Sequence, residues 1–123
     1  MQFDIEFYET FSGRCPVRYF LNDLKESDAD DFASVVAGLA KLRNREYHRP
    51  PLSKPIGDGL FELRHVGKLN TRVLYFFMKG HRIVAVHGIR HKGREIPAKE
   101  RETALERKND WLARHSDEKK NEF

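Results

Sequence analysis

"TRVLYFFMKGHRIVAVHGI", residues 71–89, decides the fold. Two runs, 71–77 and 82–89, are almost continuously apolar, which places both as central strands of a sheet. Between them "MKGH" carries Gly80 and reads as a hairpin turn. Upstream, "LFELR" at 60–64 alternates: Phe61 and Leu63 share one side, Glu62 and Arg64 the other. These three strands form an antiparallel meander. Working outward, "RNREYHRPPLSKPIGDG" at 43–59 is a basic connector by composition, stiffened by Pro50, Pro51 and Pro55 and broken by Gly57 and Gly59.

Before that connector the period changes. Val17, Phe20, Leu21 and Leu24 recur at helical spacing behind Pro16, which suits a first helical turn. "SDADDF" at 27–32 restarts the pattern: Ser27 or Asp28 can cap, and Asp30 and Asp31 favour the positive end of a helix. Phe32, Val35, Val36 and Leu39 then repeat the stripe, so residues 16 to about 40 form a two-helix hairpin. At the start, "FDIEFYE" puts Phe3, Ile5 and Phe7 opposite Asp4 and Glu6, a half-buried strand. After Pro97, "AKERETALERKNDWLARH" is a charged helix whose narrow apolar stripe is Ala104, Leu105, Trp111 and Leu112. The expected fold is therefore α+β: an N-terminal strand, a two-helix hairpin, a three-stranded antiparallel meander and a C-terminal helix. Residues 1–114 make one domain and 115–123 a flexible tail. The helices are expected on one face of the sheet, leaving the other exposed.

The 123 residues, 39% hydrophobic and 34% charged, allow a single core. No run of 18 apolar residues offers a membrane span. Asp4, Glu6 and Glu9 give the first ten residues the wrong charge for a signal peptide. The single Cys15 excludes an intramolecular disulfide and fits a reducing cytoplasm. The net charge of +4 is uneven: residues 1–40 carry −5, residues 41–94 carry +10 and residues 95–123 carry −1. A basic middle between acidic ends suits a face that meets a polyanion.

"GLFELR" at 59–64, "TRVLYFF" at 71–77, "VHGIRHKGREIP" at 86–97 and the charged last helix together resemble the RelE/ParE superfamily of bacterial toxins. The nearest branch is the HigB-like, phage-derived members of type II toxin–antitoxin systems. "CPVRYFLNDL" at 15–24 is similar to that branch's first helix, so the resemblance spans most of residues 3–112. It implies a small RelE-like fold and a cytoplasmic toxin held inactive by a co-encoded helix-turn-helix, HigA-like antitoxin. RelE and HigB members cleave messenger RNA, generally on the ribosome; ParE members inhibit DNA gyrase. The expected activity is a metal-independent, cofactor-free mRNA endoribonuclease acting on messenger RNA at the ribosome. The alternatives are a gyrase inhibitor without nuclease chemistry and a non-catalytic RNA-binding module.

Cleavage by a ribonucleotide 2′-OH needs cations around the phosphorane and a route for protons. Arg64, ending "LFELR", is the first candidate clamp, because guanidinium meets phosphate through two parallel hydrogen bonds; as a surface arginine it would instead pair with Glu62. Arg72, opening the middle strand, is the second, on the strength of the resemblance. Lys92 matches the second of two lysines that follow the last strand in the branch, placed to offset charge or protonate the leaving oxygen. His91 stands where the first lysine is usual, and an imidazole there either moves a proton or is simply solvated. Arg90, Arg94 and Lys68 are candidates for binding flanking RNA phosphates. Arg64, Arg72 and Lys92 are expected to converge on one pocket.

His87, inside the last strand, is expected to share a face with Ile83 and Ala85 as a core or supporting residue. A metal site built on His81, His87 and His91 is rejected, because no carboxylate or cysteine stands beside them in sequence. Tyr75 and Phe77 could stack a base if they faced outward, but alternate aromatics on a central strand are core. Cys15 is expected to be a buried small residue beside Pro16, with nothing to support a nucleophile.

Overall fold

A computed structural model describes residues 2–64, 70–90, 93 and 95–115. The elements run β1 (Asp4–Phe7), α1 (Pro16–Ser27), α2 (Ala29–Lys41), a 3₁₀ turn (Arg45–Tyr47), β2 (Ser53–Gly57), β3 (Leu60–Arg64), β4 (Thr71–Met78), β5 (Arg82–Arg90) and α3 (Ala98–Arg114). This is the α+β order expected, with two additions.

The first addition lies within the connector. Residues 53–57 pair antiparallel with β3 and form an edge strand. Pro55 is tolerated there because an edge strand need not donate on its outer side. Pro and Gly density hid the strand from a reading by composition. The second addition is cover for the other sheet face. The five strands lie in the order β1-β5-β4-β3-β2, with α1 and α2 on one side and α3 on the other. The expected exposed face is therefore absent. Val73, Tyr75, Ile83 and Ala85 meet Val17, Leu21, Leu24, Val35 and Leu39. Leu74, Phe76, Val84 and Val86 meet Ala104 and Trp111 of α3. Strands apolar at successive positions require cover on both sides, and the narrow stripe of α3 supplies the second cover.

Asp28 serves both hairpin helices. Its N–H donates to the Leu24 carbonyl at 2.8 Å to end α1, and its carboxylate accepts from the Asp31 N–H at 3.1 Å to open α2. Cys15 precedes Pro16 and makes no side-chain cap. Tyr75 is core, its hydroxyl donating to Ser53 Oγ at 2.7 Å, and burial pushes its phenol up to about 12.

β1 pairs parallel with the first half of β5, Asp4 opposite Arg82 through Phe7 opposite Ala85. Beyond that point β5 carries a bulge. Tyr75 faces Ala85, whereas Leu74 faces His87, so Val86 is the extra residue. The bulge resets the alternation. His87 therefore turns to the α3 side, away from Ile83 and Ala85, which corrects the expectation drawn from simple alternation.

Candidate active site

Arg64 and Arg72 are direct cross-strand partners on β3 and β4. Partners in register point to the same face, here the α3 side, where two adjacent guanidinium groups would repel each other. Glu62, two residues before Arg64 on that face, compensates. Its carboxylate forms an ion pair with Arg72, and Arg64 Nε lies 3.7 Å from Glu62 Oε1. Glu62 and Arg72 are buried at 1% and 4% exposure, whereas Arg64 is 38% exposed. Burying an ion pair costs desolvation, and removing either partner would strand a charge. The result is a graded arrangement: a locked pair beneath and one cation at the surface.

Arg72 reaches further. Its Nη2 donates to the Gly93 carbonyl at 2.6 Å, so β4 anchors the segment that leaves β5. That segment holds His91, Lys92 and Arg94, which lie outside the described residues, as does Lys68. Of the three residues expected to converge, Arg64 and Arg72 are neighbours in register, and Lys92 lies outside the described residues. Glu62 also lines a cavity of about 270 Å³ with Lys54, Ile56, Glu95, Ile96 and Arg101. Arg101 is fixed there by the Ile56 carbonyl at 3.2 Å and Asp58 at 2.6 Å.

Arg90 stands elsewhere. It pairs with Thr71 on the opposite side of the bulged sheet, and its guanidinium lies 3.3 Å from both Asp28 and Asp31. Asp31 is itself buried and accepts from the Thr71 hydroxyl. Arg90 therefore ties the end of β5 to the junction between α1 and α2.

Three participants escaped the sequence reading. Glu62 appeared there only as a surface partner for Arg64; its alternation with Arg64 beside Arg72 on the next strand was the available signal. The other two are Glu100 and Arg107, which flank His87. Arg107 donates from Nη1 to His87 Nδ1 at 2.9 Å and to the Val86 carbonyl at 2.8 Å, while Glu100 bonds His87 Nε2. A nitrogen that accepts from a guanidinium carries no proton, so His87 is neutral with its hydrogen on Nε2, directed at Glu100. Burial, the largest influence, lowers its affinity for a proton; Glu100 opposes this and Arg107 reinforces it.

Taken together, these features define a small α+β domain with a sheet covered on both faces and an arginine pair, Arg64 and Arg72, bridged by Glu62 where β3 ends and β4 begins. A family model for phage-derived Gp49-like proteins (DUF891) matches residues 20–109, and the chain belongs to that family. The family is a RelE/HigB-like toxin family of toxin–antitoxin systems, which implies an antitoxin partner. No curated protein matches the sequence. Among the described residues, no helix is long and apolar enough to cross a membrane.

Proposed function

We propose that the protein is a HigB-type toxin of the cytoplasm that cleaves messenger RNA on the ribosome, without metal or cofactor. The observation that carries this reading is the register of Arg64 opposite Arg72, with Glu62 between them and Gly93 bound to Arg72. A phosphodiester approaching the α3 face meets the exposed Arg64 guanidinium first. Arg72, paired with Glu62 beneath, bonds the Gly93 carbonyl in the segment that bears His91 and Lys92. The 2′-oxygen attacks phosphorus and gives up its proton; the 5′-oxygen leaves and gains one. His91 carries a proton in this exchange, and Lys92 offsets the charge that builds on the phosphorane. Arg94 and Lys68 bind neighbouring phosphates, whereas Arg90, held by Asp28 and Asp31 on the other side of the sheet, is left out of this role. A small HigA-like helix-turn-helix antitoxin restrains the toxin.

Induced expression in a bacterium, followed by mapping of transcript 5′ ends, tests this. The wild type should arrest growth and cut within translated frames, and Arg64→Ala and Lys92→Ala should each relieve the arrest and remove the cuts. Intact transcripts with DNA breaks and an SOS response would replace the nuclease with a gyrase inhibitor. Unimpaired growth would leave a non-catalytic RNA-binding module.

A further inference from the structure

A second cationic concavity lies on the far side of His87. Thr10, Arg14, Pro16, Tyr19 and Arg107 line a cavity of about 350 Å³, within the range that holds small ligands. Its two guanidinium groups come from opposite ends of the chain. Arg107 is anchored by the Val86 carbonyl and His87. Arg14 projects from a turn closed by Thr10 N–H to the Arg14 carbonyl at 2.8 Å and Gly13 N–H to the Thr10 carbonyl at 2.9 Å. The Arg14 N–H also donates to Thr10 Oγ1 at 3.0 Å. Gly13, at φ +90°, permits that turn. Among the described residues, neither Arg14 nor Arg107 has a carboxylate within the 4.0 Å of an ion pair. Neither cation is thus ion-paired among the described residues, although Glu100 and Glu106 lie near enough to act on Arg107 through charge.

The aromatic inventory points the same way. Among the described residues, Phe11 at 91% and Tyr19 at 57% are the exposed large aromatics. Tyr19 lines the cavity, with the Arg14 guanidinium 6.0 Å from its ring centre. Phe11 lies in the turn that presents Arg14. Every other large aromatic side chain among the described residues is at least partly buried. An exposed ring beside two arginines suits a nucleobase with its phosphate, because stacking and charge act together on single strands.

We propose that this cavity binds one nucleotide of a single-stranded RNA, its phosphate held by Arg14 and Arg107 and its base stacked on Tyr19. The assignment rests on RNA being the substrate of the neighbouring site and adds a subsite to it. Arg107 lines the cavity and also braces His87 on β5, two residues before Ile89, the cross-strand partner of Arg72.

Fluorescence anisotropy with a short labelled single-stranded RNA tests the subsite separately from cleavage. Arg14→Ala and Tyr19→Ala, both at exposed side chains, should each raise Kd about tenfold, while Tyr19→Phe stays near wild type. Arg14→Ala should also lower the slope of log affinity against log salt by about 1. On a cleavable transcript the same variants should raise KM and spare kcat. Unchanged RNA affinity in both alanine variants would overturn the subsite while leaving the nuclease reading intact. RNA binding that depends on Arg14 and Tyr19, without any cleavage by the wild type, would uphold the subsite and sink the nuclease. Binding of a glutamate-rich peptide that requires Arg14, with RNA affinity indifferent to it, would reassign the cavity to a protein partner.

Discussion

His87 shows how one side chain registers its surroundings. Its ring sits between a donor, Arg107, and an acceptor, Glu100, and burial disfavours its charged form. In the unfolded chain it titrates near 6.5; in the folded protein, lower. Between those two values the unfolded state binds more protons, so stability rises with pH there. The contribution is complete above 6.5 and declines as acid carries the pH down towards the folded value. Thermal unfolding at pH 7.5 and 5.5 should therefore show a loss of Tm on acidification that is smaller in His87→Gln than in the wild type. Glu62 plays a different part. Buried against the Arg72 guanidinium, it derives its importance from what it holds in place.

The elements follow from local chemistry more closely than the site does. β1, both hairpin helices, the meander and α3 announce themselves by period, cap and turn residues, because each buries one regular stripe. The edge strand at Ser53–Gly57 does not, since a strand with one free side tolerates proline and glycine that read as a loop. The bulge at Val86 is invisible for another reason. In a run such as Ile83–Val86 every residue is apolar, so inserting one leaves no mark on the pattern. The cross-strand meeting of Arg64 and Arg72 was within reach of the meander's alternation. The meeting of Arg107 with His87 required the bulge, and that of Arg14 with Arg107 required the complete fold. Packing of α1 on β5 gives a direct test at this scale. A Cβ on Gly88 would lie 2.3 Å from Phe20 Cδ2, inside the ring. Gly88→Ala should destabilise by about 1–3 kcal/mol by overpacking. Phe20→Leu in the same chain should recover part of that loss, as read from urea midpoints.

At the scale of the whole molecule, one sheet separates two apolar clusters, and β4 and β5 contribute side chains to both. Neither cluster can dissolve without exposing the back of the other. Unfolding should therefore be a single transition. Fluorescence of the sole tryptophan, Trp111, reports the α3 side, and far-UV circular dichroism reports all three helices; the two should give coincident denaturant curves. Separate midpoints would mean that α3 detaches on its own. The charge distribution has a structural counterpart as well. The acidic start of the chain supplies Asp28 and Asp31, which fasten Arg90, while Glu6 fastens Arg82, so part of the basic middle is neutralised internally.

The parallel pairing of β1 with β5 bears on how the chain is made. Residues 4–7 leave the ribosome well before their mates, residues 82–85, are translated. Until then the opening segment has no neighbour with which to form a ladder. Tyr8 and the Glu9 carbonyl wait longer still, for Asp110 and Arg114 near the end of the last helix. A nascent polypeptide of this design cannot close its sheet until β5 has been synthesised, so a product that stops short of residue 82 would lack the finished architecture.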